Sequence, residues 1–201
     1  MDSHYPTQLQ RFANHYFKKD LKKYLDPASY HILIEEAQTF ERELKKDKWK
    51  FKISREDPIT FKNKDSNLQI DITCDIEGSG DCSTKHNVEF RVWSTTNDDP
   101  NIKFHIDQKL PDIQEPWHHL HMGRFDEPRF PYPPMDIILL SEFILINYFQ
   151  EVYEDLRKDG GWKRLIINSQ NIFQKEYYET CWNCIENHGN TTLMEHLLYH
   201  Q

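Results

Sequence analysis

Apolar positions along this chain keep a helical period, switch to strict alternation, and then return to a helical period. Over Thr7–Tyr24, the residues Leu9, Phe12, Ala13, Tyr16 and Phe17 fall on one stripe, which predicts an amphipathic helix. Asp26-Pro27 breaks it, and Asp26 or Ser29 can cap a second helix near Pro27–Lys46. Ile32, Leu33, Ala37, Phe40 and Leu44 make the apolar face of that second helix.

The period then becomes two. Trp49, Phe51 and Ile53 alternate with lysines, and Leu68, Ile70, Ile72, Cys74 and Ile76 alternate with polar residues. Gly78 and Gly80 predict a turn before Val88, Phe90 and Val92. Ile102, Phe104 and Ile106 follow beyond Asn97–Asn101, and a last short strand is expected at His118–Met122. Turn residues separate the runs, so an antiparallel meander of four or five strands with one buried face is the simplest sheet. The prolines of Pro128–Pro134 rule out a helix interior or a central strand there. They predict a strap that buries Phe130 and Tyr132. A long helix is expected over Met135–Arg157, apolar around most of its circumference. Asp159-Gly160-Gly161 ends it, a further helix covers Trp162–Asn187, and a short one covers Thr192–His200.

The expected fold is therefore α+β, with two helices before the sheet and two or three after it. A length of 201 residues fits one domain. Residues 1–47 are helical, 48–123 form the sheet, 124–134 the strap and 135–201 the closing helices. The expected core includes Leu68, Ile70, Ile72, Val88, Phe90, Val92, Phe104, Leu139 and Phe143.

Composition narrows the function classes. Apolar residues make up 37% and charged residues 29%, yet aromatics reach 13%, which supplies burial that the aliphatic count lacks. A net charge of −8 argues against nucleic acid as a direct ligand, because phosphate neutralisation drives such binding. The run Lys18, Lys19, Lys22 and Lys23 reads as a solvated helix face. Four cysteines and no basic-then-apolar leader suggest a reducing cytoplasm. The most apolar stretch, Ile137–Phe149, is too short to span a membrane. There is no glycine-rich phosphate loop, no Gly-x-Ser-x-Gly and no His-Glu-x-x-His, which demotes the common nucleotide, hydrolase-elbow and zinc-peptidase chemistries.

Two clusters carry candidate chemistry. In Trp117-His118-His119-Leu120-His121-Met122-Gly123, strand alternation puts His119 and His121 on one face and His118, Leu120 and Met122 on the other. If the preceding strand pairs with it, His105 and Asp107 converge on His119 and His121. Imidazoles with a carboxylate suit a divalent metal such as zinc, or acid–base work near neutral pH. The plain alternative is a half-exposed sheet face whose histidines pack on Trp117 and hydrogen-bond locally. The second cluster is Cys181-x-x-Cys184 with His196 and His200, one residue short of a zinc-finger spacing. Both cysteines fall on an apolar helical stripe, so buried, reduced thiols are expected there.

The residues His119-Leu120-His121-Met122-Gly123, then Pro128-Arg129-Phe130-Pro131-Tyr132-Pro133-Pro134-Met135-Asp136 and the helix to Phe149, resemble a set of uncharacterised bacterial proteins. Gly123 is followed by Arg124 where a second glycine is usual in that set. The resemblance implies a bacterial accessory protein, from a mobile-element, antiviral-defence or toxin–antitoxin operon. The element order also resembles that of ubiquitin-conjugating folds. Those enzymes need a cysteine soon after the histidine region, and none lies between Cys82 and Cys181. Two functions follow as expectations: a non-enzymatic component that binds another protein, and a metal-dependent enzyme, a hydrolase, centred on His105, Asp107, His119 and His121.

Overall fold

The computed structural model describes residues 4–63, 67–80, 82–94, 100, 102–108, 117–123, 128–186 and 192–193. The chain enters through α1 (Tyr5–Phe12), which continues in wider π-helical turns over Ala13–Asp20. The Leu21 amide closes them by donating to the Tyr16 carbonyl at 2.8 Å. Leu9, Phe12, Ala13, Tyr16 and Phe17 are all buried, as their spacing predicts. Helix α2 (Pro27–Glu43) starts where the Asp26 carboxylate accepts from the Ala28 amide.

Among the described residues, seven antiparallel strands follow in one sheet: β1 (Lys48–Ile53), β2 (Ile59–Asn63), β3 (Leu68–Ser79), β4 (Cys82–Ser94), β5 (Ile102–Gln108), β6 (His118–Met122) and β7 (Phe130–Pro131). The spatial order is β1-β3-β4-β5-β6-β7, with β2 also on β3. The meander is the expected one, with more strands than the four or five read from alternation. The extra strand β2 comes from a break in one edge. Ile53 faces Cys74 and Ile59 faces Ile72, so residues 54–58 stand opposite Thr73 alone.

The sheet has two distinct faces. Ile70, Ile72, Cys74, Ile76, Val88, Phe90 and Val92 are buried against the helices in one core cluster. Their neighbours along the strands make the other, polar face, where register sets Asp71 opposite Arg91, Thr73 opposite Glu89 and Glu89 opposite His105. Of the expected core, Leu68, Phe104 and Phe143 are only partly buried.

The closing helices are shorter than their hydrophobic pattern predicts. The span Met135–Arg157 is two helices, α3 (Ile137–Tyr148) and α4 (Gln150–Leu156). They part at Phe149, whose backbone (φ −138°, ψ 50°) leaves the helix. Its buried ring packs on Tyr24 and Phe61, 5.4 and 5.9 Å between centroids. The span Trp162–Asn187 likewise divides into α5 (Gly160–Phe173) and α6 (Lys175–Glu186). Gln174 lies between them, buried, and its side-chain amide donates to the Pro134 carbonyl at 3.3 Å. Apart from Thr192 and Leu193, the helix expected over Thr192–His200 lies outside the described residues.

Asp136 ties three elements together. Its carboxylate caps α3 through the Leu139 amide at 2.9 Å and accepts from the hydroxyls of Tyr5 on α1 (2.6 Å) and Ser169 on α5 (3.0 Å). The strap departs from expectation at Phe130, which is 45% exposed, because the strap joins the sheet edge as β7 rather than sealing the core. Tyr132 is half-buried. No helix among the described residues is long and apolar enough to cross a membrane.

Candidate functional site

The site grows from the polar alternation of β4, β5 and β6. In the β5–β6 register His105 faces His121 and Asp107 faces His119. Strand pleating then brings all four side chains to one face. Asp107 Oδ2 lies 3.0 Å from His121 Nε2 and 3.2 Å from His105 Nδ1. The ligand atoms of His105, Asp107 and His121 all lie within 4.8 Å of one another. His119, only 1% exposed, packs its ring against His121 at 4.8 Å between centroids and stands outside that group of three. His118 points the other way, into the helix side, with its ring 5.9 Å from that of His86.

The second nitrogen of His105 is held by Asn87, whose Oδ1 lies 2.8 Å from Nε2. With the Asn87 amide so oriented, Nε2 carries the proton and Nδ1 presents a lone pair towards Asp107. Burial pushes the His105 pKa down to about 4, so the ring is neutral at physiological pH and its contact with Asp107 is not an ion pair. Two acceptors therefore face each other across 3.2 Å. A cation between them would relieve that conflict, and the neutral imidazole is the ligand form. Bonds of about 2.0–2.1 Å in tetrahedral geometry put neighbouring ligand atoms about 3.3 Å apart, close to both contacts of Asp107. The Asn87 contact matches the outer hydrogen bond that fixes a ligating histidine's tautomer.

One strand position away, Glu89 is buried beneath three cations: Arg55 at 3.2 Å, Lys103 at 2.9 Å and Arg91. Burial pushes its pKa up, but the Lys103 hydrogen bond and the neighbouring charges outweigh that and hold it below the usual carboxylate range. Glu89 and its three partners thus form a charge network beside the site in which the cations outnumber the carboxylate. Asn87 and Glu89 were absent from the sequence expectation, although alternation along β4 already puts both on the polar face.

The tail cluster is not assembled among the described residues. Cys181 and Cys184 are free and half-buried on α6, not buried as their stripe suggested. The stripe turns partly to solvent, with Trp182 58% exposed. His196 and His200 lie outside the described residues.

A cavity of about 910 Å³ opens on the helix side of the sheet, lined by His86 and His118, and touches none of His105, Asp107, His119 and His121. The two histidine groups are therefore separate places in the molecule. No family model matches the chain, and no curated protein or solved structure matches it either.

Proposed function

We propose that this protein is a metal-dependent hydrolase with zinc held by His105 Nδ1, Asp107 Oδ2 and His121 Nε2. The observation that carries the reading is the convergence of these three ligand atoms within 4.8 Å, with the His105 tautomer set by Asn87. Two imidazoles and one carboxylate leave a fourth tetrahedral position for water, whose pKa a zinc ion lowers to about 7. His119 supports the site by packing on His121. The test is the metal content of protein purified without an affinity tag. One equivalent of zinc is expected, falling to background in His105→Ala and His121→Ala and persisting in His119→Ala. Substoichiometric metal in wild type after zinc-supplemented growth refutes the site. The catalytic half is tested by chelator-sensitive hydrolysis of p-nitrophenyl acetate and bis(p-nitrophenyl) phosphate. Metal-loaded protein that turns over neither refutes the hydrolase.

A second reading is a non-enzymatic accessory component of a bacterial defence or toxin–antitoxin system that binds another protein. One observation favours it: Tyr178, Trp182 and Ile185 recur at helical spacing on α6 and are each at least half exposed. The same metal measurement separates the readings, since an accessory role predicts no bound zinc. The free thiols of Cys74, Cys181 and Cys184 support a cytoplasmic location in either case.

A further inference from the structure

The polar face of the sheet carries a second group of charges next to the proposed metal ligands. Cross-strand register sets Glu89 opposite His105 and Arg91 opposite Lys103. Lys103 stands two residues along β5 from His105, about 6.7 Å away on the same face. The buried Glu89 carboxylate draws three cationic heads to one place. Arg55 and Lys103 meet on its Oε2, and Arg91 meets its Oε1. The charges of Glu89, Lys103 and Arg55 all act on the His105 ring, so the group lies within electrostatic reach of the ligands.

The balance of that group is positive. Among the described residues, Glu89 is the only carboxylate within ion-pair distance of any of the three cations. Asp71 stands opposite Arg91 in register, but its carboxylate is taken by the Thr60 hydroxyl at 2.8 Å and the Gln69 amide at 3.0 Å. Gathering like charges is unfavourable, and one carboxylate offsets only part of the repulsion among three cations. A further anion beside the metal ligands offsets the rest. Two of the cations are open to one: the side chain of Arg55 is 61% exposed and that of Lys103 is 32% exposed. His105 and Asp107 also keep part of their side chains at the surface, so a single molecule can touch both groups.

The placement of the cations narrows the substrate class. Cleavage of a neutral ester or amide develops charge on one oxygen, which a metal ion stabilises by itself. A phosphoryl group in transfer spreads its charge over three equatorial oxygens, and fixed Arg and Lys side chains stabilise the ones the metal does not reach. Resting on the hydrolase reading above, we infer that the substrate is a phosphate ester, its phosphoryl group held between the metal ligands and the heads of Arg55 and Lys103. In the reaction the oxygen of water bonds to phosphorus. The bond from phosphorus to the ester oxygen breaks with its electron pair on that oxygen, which takes up the proton that water releases. The products are the alcohol and the freed phosphate. The overall charge of −8 disfavours a polyanion over the whole surface, not one phosphoryl group at a local excess of cations.

The experiment uses the full chain loaded with zinc, its metal content measured first. The substrates are p-nitrophenyl phosphate, bis(p-nitrophenyl) phosphate and p-nitrophenyl acetate. Wild type hydrolyses at least one of the two phosphate esters. Its kcat/KM for that ester, relative to acetate, falls at least about tenfold in Lys103→Gln, the worth of a charge-assisted hydrogen bond. In Arg55→Gln, where solvent screens the charge, the fall is at least about threefold. Inorganic phosphate inhibits acetate hydrolysis competitively, and its inhibition constant rises by the same factors. Arg55 is the most exposed of the three heads, so Arg55→Gln keeps the wild-type melting temperature and decides the matter even where Lys103→Gln does not fold. Acetate hydrolysis with both phosphate esters inert overturns the inference and leaves the hydrolase standing. So does a preference for phosphate that Arg55→Gln does not lower. Protein that holds no zinc, or holds it and turns over none of the three esters, overturns the hydrolase reading and this inference together.

Discussion

His86 offers a quantitative test of how burial couples to pH. It is 3% exposed, and its Nε2 lies 2.7 Å from the Met135 carbonyl oxygen, so that nitrogen donates. Burial pushes its pKa down from 6.5 to about 4. In the unfolded chain the same ring takes up its proton near pH 6.5. Between these two values the unfolded state holds more protons, so stability falls as pH falls. The contribution is fully present above about pH 6.5 and is lost progressively towards pH 4. A depression of about 2.5 units corresponds to about 3 kcal/mol, a large share of the roughly 5–15 kcal/mol that holds a domain together. The perturbation is His86→Gln, which keeps an N–H for Met135 and cannot take the proton. Urea unfolding of both proteins, followed by tryptophan fluorescence, is measured at intervals from about pH 7 to about pH 4. The stability advantage of wild type over the variant should shrink by about 1.4 kcal/mol per pH unit below 6.5. Burial raises the pKa of Asp136 and Glu142, which acts with the opposite sign, but both proteins share those groups and the difference removes them. Parallel curves across the range would refute the assignment of a buried neutral His86.

Asp136→Ala removes the cap of α3 and leaves the Tyr5 and Ser169 hydroxyls buried without their acceptor, so it should cost about 3 kcal/mol or more in urea unfolding. A loss under about 1 kcal/mol would show that water or a shifted neighbour replaces the carboxylate. Alkylation of the native protein, read by peptide mass spectrometry, should modify Cys181 and Cys184 before Cys74. The Cys74 side chain is buried in the sheet core, and burial raises its pKa far above the ordinary thiol value. Early modification of Cys74 would contradict that placement.

The sheet was legible because alternation survives in β3, β4 and β5, where one face is buried and a slip of one residue would put Asp71 and Arg91 inside. The His105–Asp107–His121 convergence followed from the same parity, once β5 and β6 were taken as neighbours. The breaks were not legible. Around Phe149 the chain has no proline or glycine, and what ends α3 is the burial of a ring against Tyr24 and Phe61, residues far away in sequence. Strand β2 went unread because its alternation is only five residues long and follows a polar stretch with Pro58, which loops out from a continuing edge. Counting back by twos from Val88 does put His86 on the apolar face. Its meeting with His118 depends on β5 standing between β4 and β6, a matter of strand order that local pattern does not carry.

The interrupted edge also governs how this protein can meet others. On one border, Lys48, Lys50 and Lys52 project to solvent along β1, and beyond the five-residue excursion the outer groups of β2 are already taken, the Thr60 carbonyl by the Asp26 amide and the Lys62 amide by the Tyr24 carbonyl. On the other border, β7 is two residues long and one of them is Pro131, which has no amide hydrogen. Among the described residues, the run left to an incoming strand on the first border is the six residues of β1, and on the second it is broken at Pro131. The short borders and the charged side chains of β1 thus guard against strand-to-strand aggregation.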